Sequence, residues 1–240
     1  VIDRGFWFRP RYAEPGAETV LGVTYGPEVS LGAIESVLDD LAAHPATARH
    51  LATKLAVHFV SDAPPVGLID VMTAAYLASD GALMAVYDAM LRHPAAWIRG
   101  VEGGPGAAKV MQPFHFIQSA LRGIGARGTT LLSADRQTTI RHMLRPLLYM
   151  GQDWERPAGP DGLPEANDAW ITPQGMAARI DWAFRAPSVL VDDLPDPREA
   201  VRHILGPNAP QTVVFAAGAA EDRAEGIGVI LTSAAFQRRN

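Results

Sequence analysis

The segment that most constrains the fold runs from residue 44 to residue 65, with the sequence HPATARHLATKLAVHFVSDAPP. Pro45 suits the first helical position, because its φ is fixed and its missing N–H would have no helical partner there. Pro64 and Pro65 stop the run. At about 100° per residue, one stripe of this helix is apolar and its border is polar. We expect the apolar stripe to be buried: Ala48, Leu51, Leu55 and Phe59. We expect the border to form hydrogen bonds at the edge of the core: Thr47, Lys54, His58 and Asp62.

Apolar residues recur at helical spacing through most of the remaining chain, and proline or a small polar residue precedes many of the runs. The pattern predicts an all-α protein, an irregular array of about nine to ten helices with long Pro/Gly-rich loops and no significant sheet. Residues 1–29 contain three prolines and no helical period, which predicts an extended segment. Residues 30–240 are predicted to form one helical domain, with an internal joint at the glycine-rich residues 99–108.

The net charge of −5, with lysine and arginine scattered along the chain, argues against a nucleic-acid partner. No apolar run approaches the ~20 residues that a membrane span needs. Cysteine is absent, so disulfides and thiolate metal sites are excluded. The chain begins with Val1 and not with methionine. We therefore expect a fragment that lacks an upstream region and any targeting segment.

The seven histidines do not form a recognised metal-binding spacing, so we predict no metal and no cofactor. His50 and His58 lie about 80° apart on their helix, which is unfavourable for a shared ion. The stretch GVEGGPGAAK does not match a phosphate-binding loop, because Lys109 falls three residues after the last glycine. It is interpreted as a linker.

Lys54 and His58 are one turn apart on the predicted buried helix, which makes them candidates for a general base. The same spacing is typical of an ordinary hydrogen-bonded helix edge. No GxSxG motif or other assigned nucleophile accompanies the pair, so the structural interpretation is favoured.

The irregular residues 151–171 are the best candidate for a binding loop, since long ordered loops often carry function. Trp154, Asp161 and Trp170 combine aromatic faces with a carboxylate, a pairing that suits sugars or cationic groups. The two tryptophans are equally consistent with packing into the core. Arg179 and Asp181, on the next helix, are candidates to anchor the loop by charge-assisted hydrogen bonds.

Four stretches occur in a distinctive order: HPATARHLATKLAVHFVSDAPP, KVMQPFHFIQSALRGIG, GPDGLP followed by ARIDWAF, and LTSAAFQRRN. Together they resemble the bacterial domain-of-unknown-function 1800 (DUF1800) family across nearly the whole chain. The resemblance implies that the chain is the C-terminal half of a longer protein, with a missing N-terminal helical half as a partner. It also implies an exported protein, periplasmic or extracellular.

The chain departs from the family pattern in its first motif and again later. Ala13 stands where histidine is common, Glu18 where lysine is common, and His115 where an acidic residue is usual. Leu163 replaces a frequent tryptophan, and Ala234 and Ala235 replace a Pro-Glu pair. If the first two positions served chemistry, this member would be impaired.

The sequence leads to a non-catalytic helical protein of the envelope or outside the cell, binding a protein partner or a glycan through its loops. The alternative is a hydrolase-like enzyme whose site lies at the junction with the missing half and uses Lys54, His58 and either Asp161 or Arg179. A purely structural module is the third possibility.

Overall fold

A computed structural model of the chain describes residues 7–98, 109–157 and 159–239. Helices account for 63% of these described residues, which confirms the all-α class. Within the described residues the sheet is limited to two short antiparallel pairs. These are β1 (Glu18–Val20) with β2 (Val23–Tyr25), and β3 (Lys109–Val110) with β4 (Arg238–Arg239).

The described residues form two compact units. The first contains residues 7–56 and 64–98, and the second contains residues 57–63, 109–157 and 159–239. The joint that we expected at residues 99–108 lies outside the described residues. A single domain over residues 30–240 stays a prediction.

The first unit follows the local signals in the sequence closely. Ser30 caps the first helix, since its hydroxyl accepts a hydrogen bond from the Ala33 N–H at 3.2 Å. Pro45 begins the second helix and Pro65 precedes the third, as predicted. The β1–β2 hairpin lies within the segment that was predicted to be extended. The helices are α1 (Leu31–Ala43), α2 (Pro45–Phe59), α3 (Val66–Ala78) and α4 (Leu83–Arg92).

The predicted buried face of α2 is wrong in part. Its fully buried residues are Ala48, Ala52 and Ala56, whereas Leu55 is half-buried and Phe59 is 54% exposed. The buried face is therefore rotated by about 50° from the predicted stripe. The buried row thus consists of alanines spaced four residues apart. The helix also ends at Phe59, three residues before Asp62, which was predicted to lie on its border.

The second unit is built from the remaining helices, several of them too short to predict from periodicity. Its aromatic centre is Phe116, whose ring lies 5.5 Å from that of Trp182 and 5.8 Å from that of Phe236. Edge contacts of this kind add to the free energy gained by burial. The helices are α5 (Pro113–Gly123), α6 (Gly128–Ser133), α7 (Arg136–Thr139), α8 (Arg145–Tyr149), α9 (Pro173–Arg185), α10 (Pro187–Leu190), α11 (Pro197–Leu205), α12 (Gln211–Gly218), α13 (Arg223–Thr232) and α14 (Ala234–Gln237).

Two glycines in α13 explain how closely its neighbours pack. A Cβ atom at Gly228 would lie 2.5 Å from the Phe184 ring, and one at Gly226 would lie 2.4 Å from the Pro197 ring. Both distances are well below a normal carbon–carbon contact. Because these glycines have no Cβ atom, α13 can approach α9 and the start of α11 closely. The cost is the lower helix propensity of glycine.

Pro146 lies in the first turn of α8, and the structure shows how the preceding turn accommodates it. Residues Ile140–Leu144 form a π-helical turn between α7 and α8. Proline has no N–H to offer to the carbonyl of His142, four residues earlier. The indole N–H of Trp182 donates to that carbonyl instead, at 2.7 Å. A partner from α9 thus replaces the lost helical hydrogen bond.

Candidate functional site

The end of α2 and the turn after it contribute two of the predicted border residues, His58 and Asp62. The His58 Nδ1 atom lies 2.9 Å from the Glu165 carboxylate, and the two side chains are 31% and 24% exposed. The hydrogen bond orients the imidazole, which also forms a T-shaped contact with the Phe59 ring at a centroid distance of 4.6 Å. A histidine positioned by a carboxylate is a common arrangement for a general base.

Lys109 is a buried cation next to this pair. Its residue is only 3% exposed, and its ammonium donates to the Asp62 carboxylate at 2.5 Å and to the backbone carbonyl of Glu165. Burying an ammonium is costly unless charged and polar groups surround it. Lys109 therefore ties the turn after α2 to the irregular loop.

Asn167 closes this network from the other side. Its backbone N–H donates to the second Asp62 oxygen at 2.8 Å, and its side-chain oxygen accepts from the Val110 N–H at 2.8 Å. We call His58, Asp62, Lys109, Glu165 and Asn167 the polar cluster. Within the second unit, it fixes one end of the loop 151–171 to residues 58–62 and to β3.

The cluster lacks an activated nucleophile among the residues that the structure describes. Ser61 lies in the same turn and is 1% exposed, but its hydroxyl forms no hydrogen bond there, so His58 does not activate it. Lys109 is engaged as a cation by Asp62. Lys54 is exposed in the first unit and is not a member of the cluster.

The loop places its two tryptophans differently. Trp154 is 41% exposed and packs against the Phe114 ring at 4.8 Å, whereas Trp170 is 2% exposed and donates its indole N–H to the Pro164 carbonyl at 3.1 Å. Asp161 is exposed in the turn between Gly159 and Gly162. Trp154 and Asp161 are thus open to a ligand, and Trp170 is part of the packed interior.

Arg179 does not anchor the loop, contrary to our expectation. Its guanidinium is fully buried and donates to the Met111 carbonyl and to the Gln237 side-chain oxygen, both at 2.7 Å. It lies over the Phe116 ring at 5.2 Å. Burial lowers its pKa to about 10, which leaves it charged at neutral pH. Asp181 pairs with the exposed Arg185 on the same helix. The role of Arg179 is to join β3 to the C-terminal segment.

The positions at which the chain departs from the family pattern are not concentrated in the polar cluster. Glu18 is exposed and Ala13 is half-buried, both in the first unit. His115 is half-buried on α5, and its ring lies 6.1 Å from that of Phe114.

Sequence reasoning found His58 and Asp62 but missed their partners. Lys109 is followed by the apolar pair Val110 and Met111, and a lysine entering a buried strand requires a carboxylate. That signal was available. Glu165 and Asn167 have no local signal, because their role depends on contacts with residues up to 107 positions away.

In residues 7–98, 109–157 and 159–239, no group of three histidine, aspartate or glutamate side chains is placed to bind a metal ion. No helix in the same part of the chain is long and apolar enough to cross a membrane.

The fold and the site define a largely helical protein whose conspicuous polar network fixes a long loop. Comparison with known families identifies the group: the model of the family described as "Protein of unknown function (DUF1800)" matches residues 2–238. The chain belongs to this family. No curated protein matches it, and no solved structure matches it.

Proposed function

We propose that the chain is a non-catalytic binding protein of the bacterial envelope or the extracellular space, and that the loop 151–171 contacts a glycan. The observation that carries the proposal is the way the loop is fixed. The polar cluster restrains one end of it, while Trp154 and Asp161 remain exposed. The proposed location rests on the resemblance to exported members of the family.

A restrained loop favours binding, because little conformational freedom is left to lose when the ligand arrives. One face of the Trp154 ring packs on Phe114, which supports the indole as a platform. Aromatic faces of this kind pack against the apolar faces of sugar rings, while a carboxylate such as Asp161 accepts hydrogen bonds from hydroxyls. The charged groups of the polar cluster bond to one another and to the backbone, which supports a structural role for them.

Trp154→Ala should weaken glycan binding about tenfold, because the stacking platform is lost. Asp161→Asn should weaken it about threefold to tenfold, because a charge-assisted hydrogen bond becomes a neutral one. Affinities would be measured against immobilised chito-, cello- and peptidoglycan-derived oligosaccharides. The matched controls are Trp97→Ala, a 69% exposed tryptophan of the first unit, and Asp192→Asn, an exposed aspartate outside the loop.

Unchanged affinity in both loop variants, or losses equal to those of the two controls, would remove the loop from the binding site. If the protein binds a protein partner and none of the sugars, and the two loop variants lose that binding, the loop is the binding site but its ligand is a protein and not a glycan.

One observation favours the alternative, a hydrolase-like enzyme: the 2.9 Å contact between His58 and Glu165 is suitable for a general base. If His58 serves structure, His58→Gln should lower the free energy of unfolding by about 1–2 kcal/mol and change no turnover. If it transfers protons, the variant should remain nearly as stable and lose ~100-fold or more of its turnover. Thermal unfolding and a hydrolase substrate screen, run on both proteins, separate the two outcomes. We expect the loss of stability.

A further inference from the structure

An apolar cavity of about 450 Å³ opens within the second unit, beside α5. One face of α5 forms its first wall, because Phe114, Ile117 and Leu121 recur at helical spacing. The adjacent face of α5 carries Phe116 and Ala120 into the protein core, and Ile117 and Leu121 are themselves buried. The helix is therefore apolar on two neighbouring sides, one of which also borders the cavity.

The run from α7 to α8 forms the second wall, with Met143, Leu144 and Leu147. Leu131 of α6 and the indole of Trp154 also line the cavity. These side chains are mostly aliphatic, and the thioether of Met143 adapts readily to the shape of a bound group. The walls therefore suit a flexible aliphatic body more than a flat polar one.

The cavity is large enough to hold a small molecule. A dry apolar cavity of roughly 150 Å³ is large enough to bind benzene. The cavity here is about three times that size and falls within the range of ~300–1,000 Å³ typical of small-molecule sites. By this comparison it accommodates roughly a dozen or more carbon atoms.

The polar residues at the cavity indicate which polar group a ligand would carry. Gln118, Arg122 and Thr139 line it together with the apolar side chains, and Arg122 is the one charged residue of the described lining. Arg122 is exposed, and none of the ion pairs between described residues uses it. An exposed guanidinium beside an apolar cavity complements an anionic head group, and a carboxylate matches its geometry.

We propose that this cavity binds a single-chain amphiphile with a carboxylate head, a fatty acid of roughly a dozen carbon atoms. The ligand places its alkyl chain between α5 and the α7–α8 run and its carboxylate at Arg122. The inference does not rest on the proposed glycan site. Asp161→Asn should leave fatty-acid binding unchanged, and filling the cavity from Ala126 should leave the Asp161 dependence of glycan binding unchanged.

The test is isothermal titration of the 240-residue protein with octanoate, decanoate and dodecanoate, each below its micellar concentration. Affinity should increase about fourfold for each added methylene, since each one leaves water for an apolar wall. Dodecanol should bind about threefold to tenfold more weakly than dodecanoate, and dodecyltrimethylammonium more weakly still. Arg122→Gln should make dodecanoate and dodecanol bind alike.

Ala126→Phe places a ring in the cavity and should abolish binding of the whole series. Ala216→Phe, at an exposed position on α12 outside the cavity, is its matched control. Leu144→Glu is a second variant at the open side of the cavity, where Leu144 is 39% exposed. Its carboxylate should repel dodecanoate and spare dodecanol, so the proposal stays testable if Ala126→Phe fails to fold.

Several results would overturn the proposal. These are no binding of any member of the series, affinity independent of chain length, and equal binding by the Ala126→Phe and Ala216→Phe variants. Equal affinity for carboxylate, alcohol and ammonium would remove Arg122 from the site. Binding to phosphatidylglycerol vesicles without binding to monomeric dodecanoate would assign the cavity to a membrane lipid. A dimer that Ala126→Phe abolishes, without fatty-acid binding, would assign it to a second copy of the chain.

Discussion

Arg179→Ala should lower the free energy of unfolding by about 3–5 kcal/mol, the largest effect that we expect from a single substitution in this protein. The substitution leaves the Met111 carbonyl and the Gln237 side-chain oxygen without their donor. It also opens a cavity beside Phe116, over which the guanidinium lies. Both losses occur in the interior, where water does not replace the missing partner. Urea unfolding at neutral pH would measure the change.

Arg185→Ala is the matched control, because it removes an arginine from the same helix. Its side chain is 79% exposed and pairs with Asp181 one turn earlier, so its loss should cost less than about 1 kcal/mol. Arg179→Met keeps an apolar stem and should fall between the two, at about 1–3 kcal/mol. An Arg179→Ala variant as stable as Arg185→Ala would show that the two oxygens find other donors.

Lys109→Met should destabilise the protein by about 2–3 kcal/mol and loosen the loop 151–171. The lysine side chain is 4% exposed, so its bonds to Asp62 and to the Glu165 carbonyl form in a largely dry environment. Asp62 is 36% exposed, and hydration of its carboxylate keeps the loss below that of a fully buried pair. Hydrogen exchange should report the loosening as faster exchange of the Asn167 backbone amide, which donates a hydrogen bond to Asp62.

Lys54→Met is the control for this substitution, because Lys54 is exposed and outside the polar cluster. It should change stability by less than about 0.5 kcal/mol. A double-mutant cycle between Lys109→Met and Asp62→Asn should give a coupling energy of about 1–2 kcal/mol. Unchanged amide exchange in the loop of Lys109→Met would mean that the loop keeps its conformation without the cluster.

Local signals predicted where helices begin, and the structure confirms several of them. Ser30 and Thr172 each cap a helix by accepting a backbone N–H, at 3.2 Å and 3.1 Å. Pro45, Pro113 and Pro173 each occupy the start of a helix. These features depend on the chemistry of a few consecutive residues, so one sequence is sufficient to read them.

The buried face of α2 shows where periodicity fails. The predicted stripe and the observed row share Ala48, but the observed row continues through Ala52 and Ala56. A hydropathy pattern favours the larger side chains Leu55 and Phe59, because they have more apolar area to bury. The structure buries the row of small residues instead, so apolar area alone did not decide which face lies inward.

Only part of the candidate site could be recognised from the sequence. His58 and Asp62 could be recognised as polar residues at the edge of a helix, and Lys109 as a lysine followed by an apolar pair, whereas Glu165 and Asn167 have no local signal. Trp154 and Trp170 look equivalent in the sequence, yet one is 41% exposed and the other 2%. The exposure of each ring depends on which residues pack over it, and the identity of the residue does not indicate this.

The sequence by itself determined the helical class, the caps and proline starts of the helices, and membership of the family that matches residues 2–238. All three follow from residue order along short stretches or along the chain as a whole. The tertiary structure alone decided which face of α2 is buried, which tryptophan is free, and that Lys109 meets Asp62, 47 positions away. Such contacts join segments that are far apart in the sequence, so no periodic pattern predicts them. A buried charge needs a partner of opposite charge, and the fold determines which residue lies close enough to be that partner.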